Sequence, residues 1–228
     1  MSTFPELVAR ARALAVPGRR ALLGVVGSPG SGKSTLVEEL VAALRADPPA
    51  GAGADWVAHV PMDGYHLADV ELARLGRLDR KGAPDTFDAA GYAALLSRLH
   101  QEQDTVVYAP AFDRTLEQPI AGSIPVPPTT RLVVTEGNYL LLDAEGWTSV
   151  RPLLDEVWFC DLADDERQSR LVERHTRFGK EHAHAVQWVA DVDEQNARLV
   201  RATRARADVV VPGGLLQGVG RPPAPPTG

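Results

Sequence analysis

Ala21-Leu22-Leu23-Gly24-Val25-Val26-Gly27-Ser28-Pro29-Gly30-Ser31-Gly32-Lys33-Ser34-Thr35 is the stretch that decides the fold. Its opening run, Ala21 to Val26, is apolar, too short for a helix and bounded by glycine, which reads as a buried strand. Gly27 to Ser34 then fits the spacing G-x-x-x-x-G-K-[ST]. Glycines let such a loop wrap until successive backbone N–H groups face one anion, and the helix that follows adds its positive end. Gly27, Ser28, Gly30, Ser31, Gly32, Lys33, Ser34 and Thr35 are therefore the expected triphosphate-binding residues. Lys33 would reach the β- and γ-phosphates, and the Ser34 hydroxyl would ligate Mg²⁺. An ordinary glycine-rich turn is the plainer account. The strand before it and the helical spacing of Leu36, Val37, Leu40, Val41 and Leu44 after it favour the nucleotide site.

Upstream, residues 3–17 read as an amphipathic helix that Pro17-Gly18 stops. Downstream, Trp56 to Val60 reads as a second strand, ending at Pro61-Met62-Asp63. Residues 88–102 form a helix capped by Asp88, Thr105 to Tyr108 a short strand, and the proline-rich Glu117 to Pro128 an exposed loop or hairpin. Arg131 to Thr135 and Glu156 to Cys160 are strand-like. Ala163 to Phe178 is a strongly charged helix, Ala185 to Arg206 a second one, and Val209 to Val211 a closing strand. Strands alternating with helices predict an α/β fold, a doubly wound and mostly parallel sheet with a small helical lid. One domain spans 1–228, with an N-terminal helical segment (1–19), the lid (164–185) and a flexible tail (214–228).

Composition agrees with one such domain: 228 residues, 44 % apolar and 24 % charged. It excludes a disordered chain, a collagen-like repeat and a disulfide-stapled miniprotein. A net charge of −6 offers no footprint for nucleic acid or an anionic membrane, and no apolar run approaches the roughly 20 residues of a membrane span. The first twenty residues lack a signal peptide's apolar centre, and the single cysteine, Cys160, points to a reducing cytoplasm. The expected partner is a small-molecule substrate; a homodimer is left open. Of the 24 basic residues only Lys33, Lys81 and Lys180 are lysines. Codon bias is the bland reason for the arginine excess, yet each remaining lysine becomes a pointer to a site.

A phosphate cradle serves GTPases, motors, kinases and regulators alike. No lysine follows an asparagine, so the guanine-reading N-K-x-D motif is absent, and the acidic chain suits no nucleic-acid motor. A small-molecule kinase remains. It needs a carboxylate near the acceptor hydroxyl, a second acid on the metal side, and mobile positive charge over the transferring group. Asp63, just past the second strand, stands where open α/β sheets bind ligands and can take a hydroxyl proton. A turn aspartate before Gly64 is the plainer reading. Glu136, at the end of the apolar strand Leu132 to Thr135, is the expected metal-side acid, against a capping role. Arg170 and Arg174 share a helix face and could neutralise phosphate charge when a lid closes. Acids at the start of that helix and bases at its end would equally match its dipole. Whether Lys180, Asn196 or Arg198 reaches the site is open. His66, His182 and His184 form no metal-ligand set, Trp188 and Val189 read as core, and Cys160 as buried.

The phosphate loop, Met62-Asp63-Gly64-Tyr65, Pro84-Asp85-Thr86-Phe87-Asp88, Val107-Tyr108-Ala109-Pro110, Thr135-Glu136-Gly137 and Ala207-Asp208-Val209-Val210-Val211-Pro212 follow one another in an order that resembles the phosphoribulokinase/uridine kinase superfamily. Bacterial P-loop pantothenate kinases belong to it too, and the resemblance runs from about residue 20 to 213. It implies the fold of P-loop containing nucleoside triphosphate hydrolases, with ATP and Mg²⁺ as cofactors. It also implies Asp63 as catalytic base, assisted by Lys33, Arg170 and Arg174, with Ser34 and Glu136 on the Mg²⁺ side. Asp85 matches the acid that holds ribose hydroxyls in uridine kinases. Tyr65, His66 and Phe112 complete the expected substrate side with Asp63, Asp85 and Glu136. There are departures. Gly64-Tyr65-His66 stands where uridine kinases usually have serine and phenylalanine, and pantothenate kinases tend to a glutamate where this chain has Asp85. Phe112, in Pro110-Ala111-Phe112-Asp113-Arg114, can stack or pack but lacks the family's hydroxyl. The resemblance thus implies an ATP-dependent kinase of a nucleoside-like hydroxyl, or of pantothenate or a fructose-like sugar by the same mechanism. A nucleotide-gated regulatory or assembly protein without an acceptor is the alternative of another class.

Overall fold

The computed structural model describes residues 3–144 and 146–215. The chain runs α1 (Phe4–Leu14), β1 (Ala21–Val26), α2 (Lys33–Ala46), β2 (Val57–His59), α3 (Asp69–Leu75) and α4 (Ala89–Gln101). It continues through β3 (Val107–Asp113), β4 (Gln118–Val126), β5 (Leu132–Gly137), β6 (Glu156–Asp161), α5 (Asp164–Arg177), α6 (His182–Trp188), α7 (Glu194–Ala202) and β7 (Val209–Pro212). Thr3 caps α1 in a reciprocal box with Glu6, and Pro5 occupies its first turn, where a missing N–H costs nothing.

Five strands make one sheet in the order β2-β5-β1-β6-β7, and every pairing is parallel. Successive side chains of a strand face opposite ways, so a strand buried on both faces must be apolar throughout. β1 shows the result: Leu22 and Val26 enter a core with Tyr92, Leu96, Trp147 and Val157 on one face. Ala21, Leu23 and Val25 enter another with Leu7 of α1 and Leu36, Val37 and Leu40 of α2. Each such fully buried leucine or valine contributes about 1.5–3 kcal/mol. The expected doubly wound α/β sheet is the one observed. None of the described helices is long and apolar enough to cross a membrane.

Three expectations need correction. The strand beginning near Thr105 does not join the sheet: β3 pairs only with β4, as a separate antiparallel hairpin with a register shift between Ala109 and Ala111. Pro110, Pro119 and Pro125 lie in that hairpin, and proline, having no N–H, is tolerated on edges and at bulges but not inside a sheet. The single helix expected over Ala185 to Arg206 is split into α6, a π-helical turn (Val189–Asp193) and α7. That turn buries Asp193 and precedes the buried Asn196. Trp188, read as core, is half-buried and lines the central cavity instead. Of the expected tail, 214–228, all but residues 214 and 215 lies outside the described residues.

Candidate active site

The phosphate loop leaves the C-terminal end of β1, at the centre of the sheet, and enters α2. Gly30 (φ +80°) and Gly32 (φ +86°) adopt left-handed backbone that other residues take only under strain. A side chain at Gly30 would also meet the Arg167 carbonyl of α5 at 2.8 Å. α5 is held there by Arg167 itself, 1 % exposed, whose guanidinium donates to the Pro29 carbonyl at 3.2 Å and to Glu194 of α7. Ser28 and Ser31 are buried in the loop wall, and below it the Cys160 thiol donates to the Ser31 carbonyl at 3.2 Å. Burial pushes that thiol up to about 11, so it is protonated and inert at neutral pH.

Beyond the loop stand two acids of unlike character. Glu136, buried at the end of β5, accepts from the Ser34 hydroxyl at 3.0 Å through Oε1. Its Oε2 lies 3.9 Å from Lys33 Nζ and is buried without a hydrogen-bond partner. An orphaned carboxylate oxygen beside a hydroxyl, at the mouth of a phosphate loop, fits a hard cation that takes oxygen ligands and keeps waters and phosphates. Burial, outweighing the attraction of Lys33, pushes the Glu136 carboxyl above its ordinary range. Asp63 lies in the turn after β2. Burial opposes its ionisation, but His66, Lys33 and Arg114 together hold the carboxyl below the ordinary range. Arg114 Nη2 donates to Asp63 Oδ2 at 3.0 Å. Gly64 follows because the turn packs against the Pro110 backbone, leaving no room for a Cβ.

Two hollows meet here. A cavity of about 180 Å³ is lined by Gly30, Gly32, Lys33, Ser34, Thr35, Arg170, Leu171 and Arg174, which is the phosphate side. The larger, about 460 Å³, is lined by Lys33 and Ser34 of the phosphate loop and by Asp63 and His66 of the turn after β2 with Phe112 and Arg114 of the hairpin. Arg174 lines both. The His66 ring packs in tilted contact on both Phe87 (4.0 Å) and Phe112 (4.7 Å), and its Nδ1 lies 2.9 Å from the Asp63 carbonyl. A carbonyl only accepts, so Nδ1 carries the proton and His66 fixes the turn that presents Asp63.

Comparison with known proteins follows the same line. A family model described as methylmalonyl-CoA mutase-associated GTPase MeaB matches residues 5–53, the stretch that carries the phosphate loop. A Schizosaccharomyces pombe protein named "putative uridine kinase" is 34 % identical over 179 residues, 77 % of this chain and 74 % of its own length. A Lactobacillus johnsonii protein named uridine kinase is 28 % identical over 199 residues, 86 % of this chain and 88 % of its own. A solved structure from Silicibacter sp. TM1040, a "putative fructose transport system kinase", superposes with a TM-score of 0.80 at 37 % identity, over 93 % of this chain and 100 % of that one. The chain belongs to the uridine kinase family of P-loop kinases.

Within this P-loop kinase the two hollows gather Lys33, Ser34, Thr35, Asp63, His66, Phe112, Arg170 and Arg174, and the buried Glu136 closes the floor through Ser34. Two expected substrate residues stand elsewhere. Asp85 does not line the cavity; Arg80 holds its carboxylate at 2.6 Å and Arg77 at 3.2 Å, and the Arg80 hydrogen bond lowers its pKa. Tyr65 turns to the core, packing on Tyr92 at 5.4 Å, and burial pushes its phenol up to about 12. Lys180 and Asn196 do line the cavity, whereas Arg198 is exposed away from it. Four residues went unrecognised as site parts. Arg114, Asn138 and Lys81 line the cavity, Asn138 with a buried Oδ1 that lacks a partner, and Arg167 anchors the lid helix. Only Lys81 had a signal, the scarcity of lysine; with Lys33 and Lys180, all three lysines of the chain face one cavity.

Proposed function

We propose that the protein transfers the γ-phosphoryl group of ATP to a hydroxyl of a small metabolite, with Asp63 as general base. One observation carries the reading: a single cavity of about 460 Å³ is lined both by Lys33 and Ser34 of the phosphate loop and by Asp63. The phosphate loop amides and Lys33 hold the β- and γ-phosphates, while Arg170 and Arg174 face the phosphate side and neutralise charge on the moving group. The acceptor oxygen forms a bond to the γ-phosphorus, the bond from that phosphorus to the β–γ bridging oxygen breaks, and the hydroxyl proton passes to Asp63. In a loose transition state that proton leaves late, so a carboxylate of lowered pKa suffices as base. Ser34 and Glu136 would hold Mg²⁺, which when bound supplies charge neutralisation on the phosphates.

A nucleoside acceptor is favoured by similarity to proteins named uridine kinase, but not by Asp85, whose carboxylate is committed to Arg77 and Arg80. The test is Mg-ATP-dependent ADP release over a panel of nucleosides, pantothenate, free sugars and hydroxy acids. One acceptor should raise release well above background hydrolysis, and Asp63→Asn should lower kcat about 10²–10⁴-fold while ATP still binds. Silence across the panel with ATP bound would favour a nucleotide-gated regulatory protein instead.

A further inference from the structure

Beside Lys33 the cavity is lined by four further cations, Lys81, Arg114, Arg174 and Lys180, set against four acids, Asp63, Asp69, Glu117 and Asp193. Lys81 Nζ lies 5.6 Å and the Arg114 guanidinium 5.7 Å from the centre of the one Phe112 ring, so both charges flank an aromatic side chain of the cavity wall. Lys81 spends two of its three N–H donors on Asp69 and the Glu117 carbonyl, each at 2.6 Å, and keeps one. Arg174 has no carboxylate partner among the described residues, and Lys180 has the Trp188 ring at 4.7 Å. Arg114 stands on Asp63, the carboxylate that must take up the acceptor proton. A neutral sugar or nucleoside would leave it there. An anion arriving between Lys81 and Arg114 would replace Asp63 as its counter-charge.

We propose that the acceptor is an anionic hydroxy compound whose carboxylate or phosphate is gripped by Arg114 and Lys81, a grip that draws Arg114 off Asp63 and frees the base. The inference rests on the kinase reading and names the acceptor's chemical class. Arg114 sits in the turn between β3 and β4 with its side chain 49 % exposed, so it can change partner without disturbing the core.

The experiment is calorimetric titration of the full chain, with Mg²⁺ and a non-hydrolysable ATP analogue filling the phosphate loop. Matched probes are glycerol against glycerate and glycerol 3-phosphate, and ribose against ribose 5-phosphate. At least one anionic probe should bind about tenfold or more tightly than its neutral counterpart, the size of one charge-assisted hydrogen bond. That preference should vanish in Arg114→Met and Lys81→Met and largely survive in Arg114→Lys. Glycerate against glycerol 3-phosphate tells a carboxylate grip from a phosphate grip. Neutral probes that bind equally well, anionic probes that do not bind, or a preference intact in both methionine variants would overturn the proposal. The kinase reading fails separately: an anion that binds with this preference, in a protein whose ADP release no acceptor stimulates, keeps the grip and removes the phosphotransfer.

Discussion

The two ends of the central cavity are built on opposite plans. The donor end is one continuous piece of backbone, Gly27 to Ser34, set between a buried strand and a helix, with two glycines in left-handed geometry and Arg167 clamped onto the Pro29 carbonyl. The acceptor end is an assembly of side chains: Asp63 and His66 from the turn after β2, Lys81 before α4, Arg114 from the hairpin, and Arg174 and Lys180 around the end of α5. Amides fixed in a backbone loop need no rearrangement to meet a phosphate. Charges that neutralise one another, as Arg114 and Asp63 do, must exchange partners before they can act. The first end is ready before its ligand arrives; the second becomes ready with it.

The contrast is tested hardest at Lys33. Lys33→Met should cost about 10²–10³-fold in Mg-ATP turnover, the loss seen when one preorganised donor to a developing charge is removed. Turnover within a few-fold of the parent would mean that the donor end does not stabilise the transferring group. Arg167→Met should destabilise the fold by about 3 kcal/mol, because it strips a buried guanidinium from Glu194 and the Pro29 carbonyl. Urea unfolding midpoints measure this, and a change under about 1 kcal/mol would show the loop to be rigid without its clamp. The smallest effect belongs to the sheet beneath both ends. His59 of β2 is half-buried, its Nε2 is buried and has no partner, and burial lowers its pKa to about 4. The unfolded chain takes up that proton nearer pH 6.5, so stability falls progressively as pH drops from about 6.5 to 4, and this loss is absent at neutral pH. His59→Leu should flatten that part of the stability–pH profile.

Legibility in the sequence follows the same division. The donor end is local: strand, glycine spacing, lysine and helix lie within one short stretch, and β1 occupies the same residues, Ala21–Val26, that its apolar run marks. Glu136 and Asp63 were legible because strand ends point at the crevice of an open α/β sheet. Arg114 was not, being one arginine among 21 and 51 residues from the carboxylate it pairs with. Asp85 shows the reverse failure. Its motif context is distinctive, but Arg77 and Arg80, close by in the chain, satisfy the carboxylate first. The π turn was hidden for a simpler reason: apolar spacing through Ala185 to Arg206 stays close to helical whether or not one turn is widened.

That turn makes the site depend on chain length as well as on residue identity. An α-helix advances roughly 100° per residue about its axis, and a π turn accommodates one residue more than α geometry would hold. Ala190, inside Val189–Asp193, is exposed, so exchanging its side chain should matter little. Deleting it would restore α phase and swing one side of the turn by roughly 100° against the other, parting Asp193 from His175, which it now meets at 2.8 Å, or Asn196 from the Gly82 carbonyl. Here a missing residue is the graver lesion than a wrong one.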